Sequence, residues 1–223
     1  MNNHLISIDQ QIAARHLLIH PFYLAWARGE LTREALRDYA QQYYHHVAAF
    51  PTYLSAVHSK CDDQPTRRKI LSNLIDEEAG EPNHPELWLR FAESLNTSRH
   101  QVRAVEKEPE TKALIDTFRS VCRNGSTAEG LAALYAYESQ ISAVSESKID
   151  GLKKHYGYSD PKSYEYFSVH VEADREHSAT ERELLAEHVN NENADSVKNA
   201  VDRILNSLWD LLSGVCNRHA IAC

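Results

Sequence analysis

The sequence predicts an all-α fold, a bundle of seven or eight helices formed by one domain over residues 1–223. Three observations carry this. Apolar residues recur with helical period along nearly the whole chain. Only 7 glycines and 7 prolines are present, too few for the many tight turns of an all-β fold. Prolines and capping residues also punctuate the chain where the helical pattern starts and stops. A hydrophobic fraction of 42% and a charged fraction of 25% are ordinary for a globular chain, and 223 residues suffice for one sizeable core.

Taken in order, Ile8 to about Arg28 has apolar residues at helical spacing, with Pro21 ending or kinking the helix because its ring removes a donor and clashes with the preceding turn. Thr32 can cap the next helix, which runs to Ser59 with a bend expected at Pro51. From about Thr66 to Ala79, Ile70, Leu71, Leu74 and Ile75 share a face, until Gly80 and Pro82 interrupt it. Pro85 reopens a helix at its first position, where the missing N–H is harmless, and Pro109 does the same for the helix through Phe118. Ser126 and Glu129 have capping-box spacing and start a helix that extends to about His155. Asp160-Pro161 opens another, to about Val189. The last, from about Asp195 to Leu212, carries Val197, Val201, Ile204, Leu205, Leu208 and Leu212 as an apolar stripe, and the tail after about residue 213 is expected to be disordered.

A formal net charge of −8 repels nucleic acid and anionic lipid, so neither is an expected partner. The start of the chain lacks a basic segment followed by an apolar run, and no stretch reaches the roughly 18 apolar residues of a membrane span, which points to the cytoplasm. Cys61, Cys122, Cys216 and Cys223 are widely spaced without any CxxC pair and read as reduced thiols. Histidine, at 13 residues, is the unusual component, and it is the side chain most often recruited for metal.

In HVEADREH, His170, Asp174 and His177 follow spacings of four and three, so a helix projects all three from one face. Imidazole and carboxylate together suit iron, manganese or zinc, and Asp-x-x-His resembles the carboxylate-x-x-His element of helical di-iron sites. In DEEAGEPNH, Glu77 and His84 lie seven apart, one face again if the helix crosses Gly80 and Pro82 with only a distortion; Glu78 and Glu81 remain rival ligands. Glu138 sits in the apolar and aromatic run LAALYAYESQ, where a buried carboxylate needs a strong partner, either a metal ion or a basic side chain from another helix. Three carboxylates and three imidazoles exceed what one zinc ion needs and favour two cations. Tyrosine is also enriched: Tyr23, Tyr39, Tyr43, Tyr44, Tyr137 and Tyr166 lie on segments that can face these helices, as core residues or as redox partners of a metal. Lys148, ten residues after Glu138, falls on nearly the same helical face.

The segments HPFYLAWARGELT, YAQQYYHHVAAFPTYLSAVHSKCDD, LIDEEAGEPNH, GLAALYAYESQIS and EADREH resemble those of the CADD-like family, over about Phe22 to Leu185. The stretch after about Asn190 does not match. The resemblance implies a haem-oxygenase-like bundle shared with TenA and PqqC, commonly a homodimer. It implies two metal ions, iron with manganese as the alternative in one position, on Glu77, His84, Glu138, His170, Asp174 and His177, and so selects Glu77 over its acidic neighbours. The implied activity is oxygen-dependent formation of 4-aminobenzoate, a folate precursor, from a tyrosine of the protein itself with a lysine as amino donor. Those positions match Tyr23 and Lys148, with Tyr39, Tyr137 and Tyr166 as candidate relays, molecular oxygen as oxidant and an external reductant. TenA-type hydrolases use a cysteine near the motif matching YAYES, and the nearest here is Cys122, which disfavours thiamin salvage. PqqC-type enzymes oxidise without metal, which does not suit six ligands. The alternatives are a di-iron oxygenase acting on an external substrate and a non-catalytic interaction protein.

Overall fold

Residues 3–222 are described in the computed structural model, and among them are ten α-helices and no strand. These are α1 (Asn3–Ala14), α2 (Pro21–Arg28), α3 (Arg33–Lys60), α4 (Gln64–Glu78), α5 (His84–Ser94), α6 (Arg99–Ala104), α7 (Pro109–Asn124), α8 (Thr127–His155), α9 (Glu165–His188) and α10 (Ala194–Arg218). Cys223 lies outside the described residues; Cys61 and Cys122 are buried free thiols, and Cys216 is buried.

The caps act as the sequence leads one to expect. Thr32 accepts from the Ala35 N–H, and Ser126 and Glu129 exchange both capping-box bonds. α3 continues through Pro51. The helix count exceeds seven or eight for two reasons. The N-terminal pattern breaks at Ala14, and Pro21, rather than ending a helix, opens α2 at its first position after a 3-10 turn at Leu17–Ile19. The short α6 is started by a capping box between Ser98 and Gln101, a signal the S-x-x-Q spacing carries.

Two other expectations change. α10 does not end at Leu212 but runs to Arg218, with Val215 and Cys216 fully buried, so the tail after 213 is largely helix. Gly214 interrupts the apolar pattern because the Glu110 side chain of α7 occupies the space a Cβ would need. On α4 the buried residues are Thr66, Ile70, Asn73 and Glu77, while Leu71 and Ile75 are 39% and 51% exposed. The helix is rotated so that Glu77, rather than its most apolar stripe, points inward.

One continuous core is built from all ten helices. α8 packs along much of α9, α3 lies against α7, α4 and α5, and α10 covers α7 and α8. The six stripe residues of α10 are each at most 2% exposed, and each full burial of this kind contributes about 1.5–3 kcal/mol. α8 makes two close crossings through glycine: a Cβ on Gly130 would meet Val57 of α3 at 2.7 Å, and one on Gly151 would meet the Trp26 ring of α2 at 2.5 Å.

An exposed helical Gly→Ala change stabilises by up to about 1 kcal/mol. Gly151→Ala is expected to do the reverse, destabilising by about 1–3 kcal/mol through overpacking against the fully buried Trp26, as read from urea denaturation midpoints.

Candidate metal centre

α4, α5, α8 and α9 deliver the polar groups to one buried place. α9 contributes His170, Asp174 and His177 from one face, α8 contributes Glu138, α4 Glu77 and α5 His84. All six are at most 8% exposed. Glu77, His84 and His170 offer ligand atoms within 4.8 Å of one another, and so do Glu77, Glu138 and His177. Glu77 is common to both sets, so the residues could hold two adjacent cations. Asp174 lies between His170 and His177 on α9 and interacts electrostatically with both Glu138 and Glu77.

Glu77 and His84 do not share a continuous helical face. α4 stops at Glu78, and α5 begins at His84 itself, with Asn83 as its cap, so the pair is joined across a turn. Gly80 and Pro82 break the helix because proline cannot supply the N–H that a continuing ladder needs.

The histidines are oriented by what surrounds them. His170 Nδ1 lies 2.7 Å from the Tyr166 carbonyl, which can only accept, so Nδ1 carries the proton and Nε2 is left as the ligand atom. His177 Nε2 donates to Asp76 at 3.1 Å, which leaves its Nδ1 facing Glu138 at 3.6 Å. His84 Nδ1 is 2.8 Å from the Glu77 carboxylate, yet the two are not aligned as a hydrogen bond. Two donors converging on one ion have this relation. Asn73, one turn before Glu77, donates to both oxygens of Glu138 at 3.1 and 3.0 Å.

A bound cation would offset the buried charge. Glu77, Glu138, Asp174 and the adjacent Glu181 are all buried, and among the described residues no Lys or Arg forms an ion pair with any of them. Burial, and then the charge of Glu138, pushes Asp174 and Glu181 well above the usual carboxylate range. Burial would likewise raise Glu138, but the closeness of the Glu181 carboxyl and of His177, together with the hydrogen bonds from Asn73, holds it below its ordinary value. His170 is kept neutral, first by burial and next by His84. Burial pulls His177 down, but Glu138 and Asp76 outweigh it and raise its pKa to about 9. A divalent ion held here would favour the ionised carboxylates and the deprotonated His177, removing the mismatch. His84 Nδ1, His177 Nδ1 and Asp174 Oδ2 have no hydrogen-bond partner, so donors are free where an ion would sit. The residues fit two metal ions.

Beside this centre is an aromatic cluster. The Tyr166 ring lies over His170 with centroids 4.0 Å apart, and Trp88 meets Tyr166 edge-on at 4.8 Å. Trp88 contacts Tyr43 at 5.0 Å, Tyr43 contacts Tyr39 at 5.1 Å, and Tyr43 donates a 2.9 Å hydrogen bond to Tyr137. Tyr23 and Tyr39 share a hydroxyl hydrogen bond of 3.2 Å. Lys148 is 3% exposed, donates to the Tyr39 hydroxyl at 2.7 Å, and has its Nζ 4.8–5.6 Å from the centroids of five rings, Tyr23, Tyr39, Tyr43, Trp88 and Phe167. Burial holds its amine well below the ordinary lysine value and raises all five tyrosines, Tyr23, Tyr39, Tyr43, Tyr137 and Tyr166, above theirs. Tyr44, by contrast, lines a surface cavity beside Gly80 and Arg103.

All eleven sequence-selected residues therefore converge on one region. Sequence reasoning missed Asn73, Asp76, Trp88 and Glu181. Glu181 carries a signal, because it extends the stripe of His170, Asp174 and His177 by four more residues.

The family model described as "Iron-containing redox enzyme" matches residues 37–209. A 4-aminobenzoate synthase from Chlamydia pneumoniae is 45% identical over 210 residues, 94% of this chain and 93% of the relative. Another 4-aminobenzoate synthase, from Nitrosomonas europaea, is 46% identical over 218 residues, covering 93% and 89% of the two chains. These matches reach into α10, beyond the stretch that carried the resemblance. Among solved structures, a TenA homologue from Pseudomonas syringae superposes with a TM-score of 0.82 at 18% identity, over 96% of this chain and 92% of that one, which establishes the haem-oxygenase-like fold. The chain belongs to the haem-oxygenase-like family of iron-containing redox enzymes, in the branch that includes the chlamydial and Nitrosomonas 4-aminobenzoate synthases.

Proposed function

We propose that the protein makes 4-aminobenzoate from its own Tyr23 side chain, with Lys148 as nitrogen donor, dioxygen as oxidant, and two metal ions held by Glu77, His84, Glu138, His170, Asp174 and His177. The observation that carries this reading is the Lys148 amine, buried in an aromatic cage and linked through the Tyr39 hydroxyl to that of Tyr23. The names of the relatives support the product.

A tyrosine ring with its Cβ has the carbon skeleton of 4-aminobenzoate. Release requires cleavage of Cα–Cβ, oxidation of Cβ to a carboxyl, and exchange of the para oxygen for nitrogen. The net change is oxidative. Bound iron, with manganese as the alternative in one position, would supply one-electron redox chemistry and the means of using dioxygen.

The chain's own residues supply the rest. Burial lowers the Lys148 pKa well below the ordinary lysine value, which makes its lone pair more available as a nucleophile. The Tyr39 hydroxyl holds the amine in position, and the surrounding rings exclude water. Tyr166, Trp88, Tyr43 and Tyr39 form an unbroken series of ring contacts from His170 towards Tyr23, with Tyr137 hydrogen-bonded to Tyr43 at its side. Raised tyrosine pKa values keep these hydroxyls protonated, so oxidation of any of them must be coupled to proton loss. The proposal includes an external reductant and a cytoplasmic homodimer; among the described residues no helix is long and apolar enough to cross a membrane.

In cells lacking the chorismate-derived route, the gene is expected to restore growth without added 4-aminobenzoate, and Tyr23→Phe to abolish that rescue. Rescue by Tyr23→Phe equal to wild type would remove Tyr23 as the source of the ring.

A second prediction concerns stability. The unfolded chain protonates Lys148 below about pH 10.4, whereas the folded chain resists protonation to lower pH. Unfolding between those values binds a proton, so this group's contribution to stability falls as pH drops from about 10. Lys148→Met is therefore expected to melt about 2 °C or more above wild type at pH 7, with the gap narrowing towards pH 10. Equal melting temperatures at both pH values would contradict a neutral buried amine.

A further inference from the structure

Glu181 has no role in the ligand set, yet it is only 4% exposed and neither of its carboxylate oxygens has a hydrogen-bond partner. Its nearest functional neighbour is Glu138, a like charge. A buried carboxylate in that setting costs stability and has no structural return. It lines a cavity of about 210 Å³ whose floor is formed by apolar side chains of α3, α4, α8 and α9.

The same cavity is lined by His177, the most exposed of the six ligand residues at 8%, and by Asp76 and Glu176 at its outer end, both exposed. Asp76, whose side chain is 55% exposed, is also the residue that holds His177 Nε2. Lys69 is the one basic residue lining this cavity, and it is paired with Glu183 at 3.3 Å. Carboxylates thus run from solvent to the second cation position, with Asp76 and Glu176 outside, Glu181 inside, and Glu138 and Glu77 beyond. Such a sequence repels anions and concentrates divalent cations, and each carboxylate can replace water lost from a dehydrating ion. The surface cavity by Gly80 and Asn83, near His84, is lined by none of the six ligand residues.

We propose that this cavity is the loading path for divalent metal ions, and that Glu181 passes the incoming ion from the rim to the position formed by Glu77, Glu138 and His177. The ion for the Glu77, His84 and His170 position then follows through the shared Glu77. Loading is ligand exchange without redox change: a carboxylate oxygen replaces a water on the ion at each stage. The proposal rests on the two-ion reading above.

The test is Co²⁺ uptake by chelator-stripped full-length protein, followed by stopped-flow visible absorption, with final content measured by mass spectrometry. Wild type is expected to reach two ions per chain. Glu181→Gln removes the charge at nearly constant volume, and Thr180→Trp narrows the cavity from a half-buried position, so a folding defect in one leaves the other as a test. Both are expected to load at least about tenfold more slowly, the lower end of what electrostatic steering supplies, and to reach the same final content. A wild-type rate in either folded variant overturns the loading path. So does an unchanged rate with lower final content in Glu181→Gln, since Glu181 would then hold an ion rather than pass it. If wild type binds no Co²⁺ at equilibrium, the two-ion reading itself fails.

Discussion

Four carboxylates lie buried in the middle of this bundle, and among the described residues no lysine or arginine pairs with any of them. Most of the site's architecture can be understood as a response to that charge. α4 leaves Leu71 and Ile75 in water so that Glu77 can face inward. Asn73 gives both of its bonds to Glu138, and Asp76 and the Tyr166 carbonyl turn the imidazoles so that a free nitrogen points to the acids. A bundle needing only a core would fill this volume with leucine, at lower cost. On the two-ion reading proposed above, two divalent cations would bring the buried charge near balance.

The second unusual burial is that of Lys148, and it obeys the same logic with opposite sign. Held among five aromatic rings, with the Tyr39 phenol as its one hydrogen-bond acceptor among the described residues, the Lys148 amine is pushed by burial away from its charged form. Close ring contacts connect this amine's surroundings to His170, so the metal centre and the amine form one buried assembly. On the reading proposed above, the acidic end of the core would hold the metal and the aromatic end the amine, so that the organic reactants belong to the protein itself.

Much of this was legible in the sequence where the information is local. The spacing of His170, Asp174 and His177 encodes a helical face, and Glu138 stands out because its neighbours on α8 are apolar. Glu77 and His84 were found for a reason that proved different: they meet across a broken helix, a geometry set by packing rather than by period. Asn73, Asp76 and Trp88 were not found, because their partners lie on other helices and spacing along one helix carries no trace of that pairing. Glu181 was readable as the next step of the α9 stripe, but only its burial separates it from the solvated acids around it. The apolar stripe stops at Leu212, short of the end of α10 at Arg218, and Gly214 in between packs against the Glu110 side chain. The family motifs chose among Glu77, Glu78 and Glu81, a choice that helical spacing leaves open.

The central claim is that the buried carboxylates are balanced by two metal ions. Anomalous diffraction at the iron and manganese absorption edges, from crystals of protein purified without chelator, tests it most directly. The account predicts two anomalous peaks sharing Glu77, one also ligated by His84 and His170 and the other by Glu138 and His177. A single peak outside these residues, or a well-ordered site with no anomalous signal, would contradict it.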